Sequence, residues 1–400
     1  MKKLYVRTAY FYLLLIALLG IVLRMMSVTG LPINYKNLLH THSHLAFLGW
    51  VYTAFFALYI ELFSSKSSTQ VKKYRIQFYL TQCVNIGILF SFPFQGYGVI
   101  SIVFSTLHIL LSYLFVYTLY KDMKTNDAIS SFSRKLAHYA FVFLILSSLG
   151  PFVLPVMIKW YGNGSSNYYN AIYYYLHFQY NGWFTFSVIA FCFRFFELKG
   201  KWLDAAIFGR LSDWLFISIF FTLFLSFLWD RPSMHFYIIA AIGAAIQLLV
   251  SIVAMHYIKK GYYFKHSFAN PFLRRLFFTI IFCVVLKLFF QCFGTIPYVA
   301  DLVYDYRSFI IAYLHLFLIG VISCSVLLMS IELGYLQLTP LLNKACNLFI
   351  AGFVLTEIVM FAQGTTAWLE IRTKLDLNLI LFIVSCTFPL SALIFWLKSK

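Results

Sequence analysis

Histidine is the residue type in this chain with the most chemistry to explain. The stretch Asn37 to Trp50, NLLHTHSHLAFLGW, carries His40, His42 and His44 at the mouth of an apolar run that continues through Ile60. Imidazole titrates near neutrality and is the commonest metal ligand among side chains. Burying it in lipid is expensive, so a histidine inside a membrane span points to function. On a helix His40 and His44 share a face, while His42 points away from both. Two further histidines stand in long apolar runs: His177 in YYYLHFQYNGWF and His315 in IIAYLHLFLIGVIS.

The elements that must position them are membrane helices. The 400 residues are 62% hydrophobic and only 11% charged, with a mean hydropathy of +0.82. That balance excludes a soluble multidomain protein and predicts an all-α, polytopic membrane protein in contact with the lipid bilayer, residues 1–400 forming a single transmembrane domain. A net charge of +18 would suggest a nucleic-acid partner in a soluble chain. Here topology accounts for it, because basic residues collect in cytoplasmic loops, and no nucleic acid is expected.

A span needs about 20 apolar residues. About twelve such runs occur, near 8–28, 38–60, 76–95, 97–120, 136–158, 168–193, 211–229, 234–257, 276–295, 308–331, 345–363 and 377–397. Met1-Lys-Lys precedes the first without a small-residue cleavage site, so that run reads as a span rather than a signal peptide. Lys66, Lys72, Lys73 and Arg75, then Lys121, Lys124, Arg134 and Lys135, then Arg194, Lys199, Lys201 and Arg210 fall on one face. Lys259, Lys260, Lys265, Arg274, Arg275 and Lys344 follow on that face, together with the basic residues of both termini. Arg24, Lys36, Lys159, Arg231, Arg307, Arg372 and Lys374 fall on the other. A bias of about three to one makes that first face, and both termini, cytoplasmic.

This orientation groups the histidines. His44, His177 and His315 each lie a few turns below the outer end of an inward-running helix, roughly 10 Å deep at about 1.5 Å per residue. No His-Glu-x-x-His pair exists for a zinc hydrolase, and the closely spaced histidine boxes of a di-iron hydroxylase are missing. Histidines on different helices, among aromatic and small residues, suit an axially ligated haem. Gly49 and Gly320, just below His44 and His315, would let a flat macrocycle approach the backbone.

The spans HSHLAFLGWVYTAFFALYI and YLHLFLIGVISCSVLLM resemble the haem-ligating helices of the haem–copper oxidase and nitric-oxide reductase catalytic subunits. They are equally similar to those of NnrS, a shorter haem- and copper-containing membrane protein linked to nitric-oxide stress. The resemblance implies twelve helices in a bacterial inner membrane and a b-type haem near the outer face, held by His42 or His44 with His315. It further implies a metal site, copper or another ion, drawing on His44, His177 and His315. Electrons would come from a quinol or cytochrome, with nitric oxide or dioxygen as substrate. Three departures stand beside it: no histidine lies in 211–229, Tyr313 replaces a second histidine beside His315, and Asn181 follows His177 where the oxidases have tyrosine. They favour a non-enzymatic haem or metal sensor, scavenger or assembly factor over a full oxidase. A cofactor-free, proton-coupled transporter is the third reading.

Charged residues inside spans complete the candidates. Lys287 sits near enough to an outer helix end to snorkel. Glu357 is deeper, and either relays protons or is held neutral by burial. Arg307, with Asp301 and Asp305, precedes the tenth run, where arginine could meet haem propionates. The seven cysteines form no framework and read as buried, reduced packing residues.

Overall fold

The computed structural model describes residues 2–65, 67–200, 204–260, 268 and 270–399. Lys66, Lys201, Lys265, His266 and Lys400 lie outside the described residues. The described chain is built of helices: α1 (Lys2–Met26), α2 (Tyr35–Phe63), α3 (Ser68–Gln95), α4 (Val99–Lys124), α5 (Ser131–Tyr161) and α6 (166–198). They continue as α7 (Ala205–Asp230), α8 (Met234–Lys260), α9 (Pro271–Phe293), α10 (Arg307–Glu332), α11 (Pro340–Trp368) and α12 (Leu377–Lys398). A short helix, Pro297–Asp305, precedes α10. Ten of these, all but α3 and α6, are long and apolar enough to cross a bilayer. The protein is therefore a multi-pass helical membrane protein, and large apolar side chains such as Phe94, Val99, Phe282 and Leu249 project outward to meet lipid.

Local sequence sets where the helices start and break. Ser67, Ser130, Ser165, Asp204, Asn270, Thr339 and Asp376 each accept a backbone N–H from the first turn of the helix that follows. These caps satisfy donors that the helix cannot. α5 is interrupted at Ser148 and α12 at Cys386, three residues before Pro151 and Pro389. A proline offers no N–H and its ring crowds the carbonyl four residues back, so both helices bend there.

The chain divides into two compact units. The first comprises residues 1–126 and 323–400. Within it α1 packs on α2 and α12, α3 pairs with α4, and α11 lies against α12. Its core is dense in aromatics: Phe56 meets Tyr5, Tyr74, Phe78 and Phe115. Fully buried Asp122 accepts from the hydroxyls of Ser64, Ser65 and Tyr74, which pins the α2–α3 connection.

The second unit comprises residues 127–322. There α5 packs on α6, α7 on α8, and α8 on α9. A buried Arg194–Glu197 pair at 2.8 Å ties the C-terminal end of α6 to the Ser130 and Ser133 hydroxyls at the head of α5. Of the cysteines, Cys283, Cys324 and Cys346 are buried as expected, whereas Cys83 is exposed on the outer surface of α3.

Candidate functional site

Three helices widen at the same place in their sequence. The backbone leaves α-helical pairing for the wider i→i+5 pattern at Leu45–Val51 in α2, Phe178–Phe184 in α6 and Leu316–Ser323 in α10. Each widened turn begins at the residue after a histidine: His44, His177 and His315. Each holds a glycine at the same step, giving His-x-x-x-x-Gly at His44–Gly49, His177–Gly182 and His315–Gly320. Such π segments are rare and concentrate at functional sites, because one extra residue re-aims the side chains around it.

In the first unit this aiming is explicit. His44 donates from Nδ1 to the His40 carbonyl at 2.8 Å, one turn back. That bond fixes the tautomer and leaves the lone pair on Nε2. The ring stacks on Phe92 with centroids 4.2 Å apart and meets Tyr97 edge-on at 5.5 Å. His40 rests against the same Tyr97 at 4.6 Å, so His40 and His44 share the face that helical spacing predicts. His42 turns toward α1, where it meets the Ile16 carbonyl, and its buried Nδ1 has no hydrogen-bond partner.

The widened turn below His44 is braced. The Asn85 amide donates to the Leu48 carbonyl at 3.3 Å, and buried His108 bonds that same carbonyl. The Trp50 indole donates to the Ser323 hydroxyl at 3.1 Å. His108 is thus a buried, hydrogen-bonded packing histidine. Gly49 does something other than expected. A Cβ there would stand 2.8 Å from the Tyr12 ring, so its missing side chain admits an aromatic residue of α1 and no macrocycle. Gly20 of α1 is the glycine beside an imidazole, since its Cβ would come 3.3 Å from His42 Cε1.

In the second unit His177 is fully engaged. Its Nε2 donates to the Ile219 carbonyl at 2.9 Å. Its Nδ1 accepts from the Asn181 amide at 3.1 Å and faces the Ser226 hydroxyl at 3.3 Å. Both ring nitrogens are committed, so this conformation offers no lone pair to a metal. His315 heads its widened turn half-buried, in the second unit. Among the described residues, no group of three His, Cys, Asp or Glu side chains forms a metal-ligating cluster.

The charged residues also depart from expectation. Lys287 does not snorkel: it is 6% exposed, donates to Gln291 at 2.6 Å and lies over the Phe317 ring at 5.5 Å. Gln291 sits one turn further toward the helix end, and its carbonyl offers the ammonium a nearer partner than the interface does. Asp301 and Asp305 pair with Arg231, at 3.0 and 3.9 Å. The Asp301 hydrogen bond, helped by both carboxylate charges, holds exposed Arg231 above its ordinary pKa. Both oxygens of Glu357 are buried without a hydrogen-bond partner, while Arg24, which the loop count places outside the bilayer, is part-buried and bonds Met360 Sδ at 3.4 Å on the same helix as Glu357. Sequence reasoning missed Ser226 and Gln291; it met Asn181 only as a departure from the oxidase pattern and Arg24 only as a loop charge.

Fold and site together define a multi-pass helical membrane protein with repeated histidine-headed π segments. No protein-family model matches the chain, and no curated protein matches it either.

Proposed function

We propose that the chain is a haem-binding protein of a bacterial inner membrane, twelve helices crossing it with both termini in the cytoplasm. His44 would hold the haem iron. The observation that carries this reading is the anchored imidazole: Nδ1 held by the His40 carbonyl, Nε2 free, and the ring clamped by Phe92 and Tyr97. A backbone acceptor on one ring nitrogen orients the other and raises its basicity, as for most metal-bound histidines. The donor set fits a haem, which asks one or two side chains of the protein, better than it fits a multi-ligand ion.

Bound there, the haem would supply one-electron redox chemistry and a position for nitric oxide or dioxygen. The residues of the chain do the rest. The His40 carbonyl keeps the proton off Nε2, and Asn85 and His108 hold the widened turn that aims the ring. Buried Phe92 lies against the ring, with Tyr97 at its edge. His315 heads the same local structure in the second unit. The engagement of both His177 nitrogens, and the lack of histidine in α7, favour a haem protein without a copper centre, fed by a quinol or cytochrome.

A reduced-minus-oxidised spectrum of the detergent-purified protein, with iron analysis on the same sample, tests this. A Soret band with stoichiometric iron is expected, lost or shifted to high spin in His44→Ala. Protein without band or iron would overturn the reading in favour of a cofactor-free transporter.

A further inference from the structure

Among the described residues, the second unit buries a positive charge that no carboxylate pairs with. Lys287 of α9 is 6% exposed, and its ammonium makes one hydrogen bond, to Gln291 Oε1 at 2.6 Å. Its other close neighbour is the π-face of Phe317 at 5.5 Å. An ammonium carries three donors, so two remain without an acceptor here. Gln291 is 4% exposed, and its Nε2 is buried with no partner at all. Because Gln291 spends its carbonyl on the lysine, what it presents besides is a second set of N–H donors. Lys287 and Gln291 stand one helical turn apart and so share a face of α9.

Other groups near this face do not answer the need. His177, whose imidazole feels the Lys287 charge, uses both nitrogens elsewhere. The Tyr180 ring stands 6.0 Å from Phe317 and closes the apolar side. Buried donors without acceptors cost about 1–3 kcal/mol each, and more when charged. A charge alone in lipid is held by a partner or by function.

We infer that Lys287 and Gln291 form a binding site for a small monovalent anion with two acceptor oxygens, of the carboxylate class. Two donor groups on one helix face suit two oxygens, one taken by the ammonium and the other by the carboxamide. Monovalency follows from the single cation, since a second negative charge would stay unpaired in an apolar interior. Small size follows from Phe317 beside the ammonium. The site is independent of any haem, because neither residue takes part in holding His44.

The test is thermal unfolding of the detergent-purified full-length chain, titrated with sodium formate at constant ionic strength, with sodium gluconate as the balancing salt. Gluconate carries the same carboxylate on a bulky body. A ligand that binds only the folded state raises the melting temperature in a saturating way. Formate should do so where gluconate does not. Lys287→Met should abolish the shift, and Gln291→Leu should weaken the apparent affinity at least about tenfold, the loss of one hydrogen bond to a charged group. Should Lys287→Met fail to fold, Gln291→Leu alone decides. No saturable formate shift in the native protein, or an unchanged one in either variant, overturns the inference.

Discussion

His44 and His177 show how the same residue in the same sequence setting can serve opposite ends. Both open a widened turn and both precede a glycine by the same step. His44 gives its Nδ1 to a carbonyl of its own helix and keeps Nε2 open, whereas His177 reaches across to the Ile219 carbonyl with Nε2 and accepts from Asn181 on Nδ1. The difference lies in what stands four residues away. After His177 that residue is Asn181, an amide that can donate. After His44 it is Leu48, which cannot, so the ring turns back to His40. The two positions should respond differently to truncation. His177→Ala leaves the Asn181 amide buried and unpaired, while the Ile219 carbonyl keeps the Leu223 N–H and the Thr222 hydroxyl, a cost of about 1–3 kcal/mol for the lost partner. It should therefore lower the melting temperature while leaving the iron content of the purified protein unchanged. His44→Ala should do the reverse, removing bound iron with a smaller stability loss. If His177→Ala abolished iron binding, the role given to its hydrogen bonds would be wrong.

At the level of elements, the membrane helices were legible because their signal is composition, and every apolar run read from the sequence corresponds to a helix. The widened turns were not legible. LAFLGWV, FQYNGWF and LFLIGVIS are apolar or neutral sequences that an α-helix would accept equally well, and their backbone pairing is decided by what packs against them. The glycines were seen, but not their partners. Gly49 and Gly182 lie in contact with aromatic side chains of neighbouring helices: Tyr12 at 2.8 Å and Phe143 at 2.5 Å from where a Cβ would be. At Gly182 the obstructing atom is Phe143 Cβ itself, which cannot move without its backbone. Gly182→Ala should thus force α5 and α6 apart and cost about 1–3 kcal/mol, the usual range for overpacking. Gly20→Ala meets only the edge of the His42 ring at 3.3 Å, which can shift by tenths of an ångström. Thermal melts of the two variants, read side by side, check this. Equal destabilisation would mean that α5 and α6 are not in the close contact that Gly182 permits.

For the whole molecule, charge decides what apolar length cannot. Ten helices pass the test of length and hydropathy, while α3 and α6 do not. Both carry polar residues along their length, Gln77, Gln82 and Asn85 in α3 and Gln179 and Asn181 in α6, and polar and aromatic residues crowd one end: Lys72, Lys73 and Arg75 in α3, and the run Asn167 to Tyr175 in α6. Those are the ends that should lie at the interface, where lysine and tyrosine are favoured. If both helices cross, the chain crosses an even number of times and its termini share a side. If only one crosses, the basic connections would be divided between the two faces and the bias of about three to one would vanish; if neither crosses, Lys121, Lys124, Arg134 and Lys135 move to the other face and the bias weakens. Reporter fusions read this directly. A fluorescent protein joined after Lys398 should mature in the cytoplasm. A phosphatase active only outside should work when inserted at Gly164, between α5 and α6, and also at Tyr97, between α3 and α4. It should be silent at Asn126, between α4 and α5. Phosphatase activity at Asn126 or silence at Gly164 would remove α3 from the membrane, and a non-fluorescent fusion after Lys398 alongside a silent Asn126 would remove α6.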